Sequence, residues 1–123
     1  MGKVVKKPTF RMPSCRAFRC GAPIFARRIS ATGADLDHAR LRGANLRHAK
    51  IEGASLWRAN LRDADLSYAG LQRAKLDHAD LSGANLHNAD LTGASLWGAQ
   101  LSRARFENAI GITDEQLKNA HLA

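Results

Sequence analysis

Acidic residues are missing from the first 33 positions, where Lys3, Lys6, Lys7, Arg11, Arg16, Arg19, Arg27 and Arg28 stand unopposed. Cysteine is scarce as well: Cys15 and Cys20 are the only two. Two thiols exclude a four-cysteine zinc site and a dense disulfide framework. They are read as free thiols, with one local disulfide as the alternative in an oxidising compartment. Aromatic residues make up 6% of the chain, so the usual globular mix is absent. No apolar run approaches the roughly 20 residues of a membrane-crossing helix, and the chain is expected to be soluble or at most peripheral. No apolar stretch of adequate length follows the early charges, which excludes a secretory signal.

The 123 residues suit one domain. The net charge of +8 invites a nucleic-acid or anionic-membrane reading, but its placement is uneven. Residues 1–33 carry all of the excess, while residues 34–108 hold ten Lys/Arg against nine Asp/Glu. The leading segment is basic and the rest is close to neutral.

What dominates the chain is a repeat. From Ala34 it reads ADLDH, ARLRG, ANLRH, AKIEG, ASLWR and onward through fifteen uninterrupted pentads to Asn108. Alanine holds the first place in all fifteen. The third place is Leu36, Leu41, Leu46, Ile51, Leu56, Leu61, Leu66, Leu71, Leu76, Leu81, Leu86, Leu91, Leu96, Leu101 and Phe106. A period of five suits neither ordinary element. In an α-helix five residues rotate about 500°, scattering the leucines around the cylinder. In a strand an odd period would put alternate leucines on opposite faces. A short extended step followed by a corner works, with Ala and Leu pointing inward and three residues out.

The tandem A-[DNSKR]-[LIF]-x-x resembles the pentapeptide-repeat family over 75 of the 123 residues. The resemblance implies an all-β fold, a right-handed quadrilateral parallel β-helix with four pentads per coil. The third-place side chains and the preceding alanines would then form the interior core. Residues 34–108 would make a rod of just under four coils, roughly 18 Å tall at the spacing of paired strands. Residues 109–123 are expected to close its end. Thr113 with Gln116 has the pattern of a helix-capping box, and Asp114 and Glu115 fall where the helix dipole favours acids. Leu117, Ala120 and Leu122 are expected to share one face of this short helix. Similar helices close many family members, and in some the closing region mediates dimerisation, so a homodimer contact is the second reading of this segment. Residues 24–33 are either degenerate pentads or a plug for the other end, and residues 1–23 are expected to be a flexible basic arm.

Residues 20 apart stack on one face of such a rod. The stretch 34–57 recurs closely at 74–97, two whole coils away. It places Trp57 and Trp97 on the same face, together with Arg58, His38 and His78. Two outward tryptophans on a polar rod suggest an interaction patch; the competing reading is that each indole only covers neighbouring coils. Tyr68 stacks over His48 elsewhere, as packing. His38 and His78 stand two coils apart, too far to share a zinc ion, and no carboxylates converge in a cleft. Asp37, Asp63, Asp77, Asp80 and Asp90 are expected to bond local backbone or face nearby arginines. No catalytic residue, metal or cofactor is expected, and an enzyme is excluded.

The expected function is a structural or protein-interaction module with a partner left open. The alternative is nucleic-acid or anionic-surface binding through the basic arm. A third reading takes the arm as an organelle-targeting segment, against a cytoplasmic location otherwise. Family members that mimic DNA and protect topoisomerases need a strongly acidic surface and commonly carry Phe at the third place, whereas this chain has a nearly neutral repeat body and only Phe106 there.

Overall fold

Each pentad forms one side of a square coil because its residues alternate between an extended step and a tight corner. The computed structural model describes residues 31–122. The basic arm, residues 24–30, Cys15 and Cys20 lie outside the described residues.

Corners come first. The third-place carbonyl accepts a hydrogen bond from the next alanine N–H, as Leu36 does from Ala39 at 3.0 Å. At every fifth place from Gly33 to Asn108 the backbone has positive φ, between 58° and 73°. Positive φ at the third residue alone of a four-residue turn is the type II signature. That conformation favours Gly, and among other residues Asn and Asp tolerate it best. The fifth place is filled accordingly by Gly in six pentads and by Asn, Asp, His, Arg or Tyr in the rest.

Between corners the second-place residues pair in parallel with residues 20 further on: Asp35 with Ser55, Ser55 with Lys75, Lys75 with Ser95. The same step recurs on the other three sides through Arg40, Asn45 and Lys50. The pairing is one residue long on each side, flanked by backbone bonds such as Leu36 N to Ser55 O at 2.7 Å and Ser55 N to Ala34 O at 2.9 Å. Corner amides join in too, His38 N donating to Trp57 O at 2.9 Å. Backbone polar groups are thereby satisfied from coil to coil, as a buried backbone requires. The described coils span 31–50, 51–70, 71–90 and 91–110.

Inside, the first-place alanines and third-place leucines are buried from Ala31 to Leu101, none more than 5% exposed. One large and one small side chain per side fill the narrow lumen without voids. Phe106 departs from the interior position expected of it. It is only partly buried, with Ala104 and Ala109, because it belongs to the last coil and has no full coil above it.

The chain then leaves the square. Gly111 (φ 80°) passes so close to the coil below that a Cβ there would lie 2.3 Å from Thr92 N. Thr113 N-caps a single helical turn, α1, Asp114–Lys118. Thr113 Oγ1 accepts from Gln116 N at 3.1 Å, and Gln116 Oε1 accepts from Thr113 N at 2.6 Å. Gln116 Nε2 donates to the carbonyls of Leu91 and Ala94 at 3.2 and 2.8 Å, tying α1 to the last coil. His121 then pairs with Gln100, a step of 21 residues where every other pairing takes 20. Leu117 and Ala120 pack against the core, whereas Leu122 is 52% exposed and does not share their face.

Candidate interaction surface

The aromatic edge of the rod is built on its corners. At seven corners the second-place Asp or Asn accepts the fourth-place N–H two residues on, a local turn bond that these short side chains reach readily. Asp80 accepts both N–H and hydroxyl of Ser82 (3.0 and 2.7 Å), and Asp90 those of Thr92 (3.0 and 2.6 Å). For Asp80, partial burial pushes the carboxyl up, but the Ser82 bonds and the Arg62 guanidinium together overcome it and hold the group below the usual carboxylate range. Asp90 is lowered first by the Thr92 hydroxyl, against some burial, with help from the Thr92 N–H and Gln72.

At Ser55 and Ser95 this local bond is missing. Asp37 and Asp77, one coil earlier, replace it from below. Asp37 Oδ1 accepts the Trp57 N–H at 3.0 Å and also the Ser55 hydroxyl, and Asp77 does the same for Trp97 (3.0 Å) and Ser95. The local backbone bonds expected for these two aspartates are therefore bonds to the next coil, while Asp63 faces Arg42 at 3.8 Å.

Each indole then meets a histidine edge-on. His38 and Trp57 have ring centroids 5.1 Å apart at 88°, His78 and Trp97 5.3 Å apart at 74°. Arg58 Cζ lies 4.8 Å from the Trp57 ring centre, a cation–π contact worth about 0.5–1 kcal/mol at an exposed site. The five residues singled out in the sequence thus form two clusters on one edge, Trp57 with His38 and Arg58, and Trp97 with His78. They stand two coils apart, about 9.6 Å along the axis. Trp57 is 39% exposed and Trp97 57%.

A second corner holds Tyr68, stacked on His48 at 4.9 Å and 10° and edge-on to His87 at 6.2 Å. His87 lies 4.0 Å from Glu107. Among the described residues no three His, Cys, Asp or Glu side chains come close enough to hold a metal ion, and no helix is long and apolar enough to cross a membrane. Sequence reasoning missed Asp37 and Asp77 as supports of the tryptophans. The signal was the recurrence of LDH one coil before SLW in both copies.

The profile of pentapeptide repeats matches residues 32–67, 45–83 and 69–108, in eight copies. This chain belongs to the pentapeptide repeat family. Its coil is the family's right-handed β-helix, and the pentads quoted above are its repeats. It is similar to the crystal structure of the pentapeptide repeat protein Rfr23 from the cyanobacterium Cyanothece 51142, at 35% identity and TM-score 0.71, over 76% of this chain and 64% of that one. It thus spans under two thirds of Rfr23's length. A pentapeptide repeat protein of the Arabidopsis thaliana thylakoid lumen is 29% identical, with TM-score 0.49, over 72% of this chain and 68% of that one. HetL, a pentapeptide repeat protein involved in heterocyst differentiation regulation in Nostoc sp. strain PCC 7120, is 31% identical, with TM-score 0.45, over 77% and 60%. No curated protein matches the chain.

Proposed function

We propose that this pentapeptide-repeat chain is a non-enzymatic module that binds another protein along its Trp57–Trp97 edge. The observation that carries this reading is the exposure of two indoles, 39% and 57%, at equivalent corners two coils apart. Trp and Arg are the residues most enriched in binding hot spots, because each buries a large area on contact. The rod backbone is held on both sides of each corner, so the edge loses little conformational freedom on binding. Within this reading residues 34–108 are the working scaffold and residues 109–123 cover its C-terminal end, while the basic arm and residues 24–30 lie outside the described residues. A DNA mimic is disfavoured by charge: ten Lys/Arg balance nine acids over residues 34–108.

The test compares the wild type with Trp57→Ala/Trp97→Ala by cross-linking in native cells, with Tyr68→Ala as control. A partner captured at low and high salt by the wild type and the control, and lost from the double variant, is the expected result. Undiminished capture of that partner by the double variant would sink the reading.

A further inference from the structure

We propose that the N-terminal pole of the rod docks end-on to a flat anionic lipid surface, through a basic collar on its first described coil. This inference is independent of the tryptophan edge. Arg40, Arg42, Arg47 and Lys50 all lie in the coil 31–50, and all four are exposed. Only Arg42 has an acid within ion-pair distance among the described residues, Asp63 at 3.8 Å, and that pair is itself exposed. The same coil holds two acids, Asp35 and Asp37. Asp37 is occupied by the Trp57 N–H and the Ser55 hydroxyl.

The charge is segregated along the axis. Residues 1–50 carry twelve Lys/Arg and two acids; residues 51–123 carry seven Lys/Arg and nine acids. Chain continuity joins residues 1–30, with eight Lys/Arg and no acid, to the collar coil. Among the described residues, the coil 31–50 is the one with an excess of Lys/Arg at this end, four against two acids.

Two observations separate this collar from a merely soluble surface. First, the scaffold does not need it. Two coils on, in the second copy, the matching positions are Asp80, Ser82, His87 and Asp90, and the coil there has the same pairing and the same buried core. Second, the four cations spread over three of the rod's four sides instead of lining one, and the fourth side carries Asp35 and Asp37. Arg40 lies on one side, Arg42 at its corner, Arg47 at the next corner and Lys50 on the side beyond. Half a coil separates the first from the last, a rise of only about 2.4 Å. Charges spread around a perimeter in nearly one plane can meet a planar anionic surface together. A nucleic-acid duplex, which is convex, would reach one side at a time. A collar of four cations matches the smaller of the clusters of Lys and Arg that hold proteins at anionic leaflets.

The experiment uses the full chain and vesicles of phosphatidylcholine, with or without about one third phosphatidylserine. The variant replaces each collar cation by its second-copy counterpart (Arg40→Asp, Arg42→Ser, Arg47→His, Lys50→Asp), which the fold already accommodates two coils on. The control removes cations at the other end, Arg103→Gln with Arg105→Gln. Binding to the anionic vesicles is expected to weaken steeply with salt. It should drop by about fivefold per collar cation replaced and stay within twofold of wild type, or about that, in the control. The collar variant removes more charge than the control, so an equal loss per unit of charge removed in both would reduce the effect to net charge and overturn the proposal. So would binding that ignores phosphatidylserine, or tighter binding to a DNA or RNA duplex than to the vesicles.

Discussion

Residues 34–57 and 74–97 are two copies of one stretch, and the rod holds them two coils apart in the same orientation. Their interiors are the same: Ala34, Leu36 and Leu56 are buried like Ala74, Leu76 and Leu96. Their aromatic corners are the same too, down to the aspartate beneath each tryptophan and the histidine against it. What differs is the outward set. Arg40 and Lys50 become Asp80 and Asp90, and Arg58, over the Trp57 ring, becomes Gly98. The indole left uncovered is the more exposed of the two, 57% against 39%. The comparison separates what holds the coil from what the coil displays. Inward positions and bonds between coils are fixed by packing, while outward positions are free to change sign.

The largest effect should come from breaking the shared interior. Leu56→Ala, with full coils on both sides, is expected to cost about 4 kcal/mol, and Leu96→Ala, in the last coil, about 2–3 kcal/mol, read from urea midpoints. Equal costs would mean that the last coil is as well packed as the second.

The outward difference can be erased with Gly98→Arg. A Cβ at Gly98 would lie 2.7 Å from the His78 ring, whereas Arg58 is tolerated above His38 at φ 58°. The substitution should cost about 1 kcal/mol for a left-handed non-glycine residue, displace His78, and shift Trp97 emission to the blue. Fluorescence in a Trp57→Phe background reads this directly, and an unchanged spectrum would show that the fifth-place side chain does not govern indole exposure.

The smallest effect is acidic. Asp80 and Asp90 have folded pKa values below their ordinary 3.8, so the stability they contribute is full above that value and is lost as pH falls through the lower folded values. Melting temperature should therefore drop on acidification below about pH 4. The drop should be shallower in Asp80→Asn/Asp90→Asn, which has no carboxylate to protonate at either place.

Much of this was readable beforehand. Fifteen in-phase pentads call for an extended step and a corner with the leucines inside, and the family resemblance implies four pentads per coil, from which the shared face of Trp57 and Trp97 follows by counting. The capping box at Thr113 and Gln116 is a signal four residues long and was equally legible. The exposure of Leu122 was not, because the five-residue helix ends at Lys118 and the chain then re-enters the sheet one residue out of register. Nor was the role of Asp37 and Asp77 visible. A carboxylate two residues before a turn bonds locally by rule, but one serving a corner 20 residues on depends on which coil lies above it.

The sequence by itself determined the period, and with it which side chains face inward, because a five-residue repeat suits neither a helix nor a strand and needs a corner in every pentad to keep Ala and Leu on one side. Only the tertiary structure decided how the surface is organised. Stacking at a strand spacing of about 4.8 Å brings neighbouring coils into contact. That contact set Asp37 beneath Trp57 and stood His38 and His78 edge-on to their indoles.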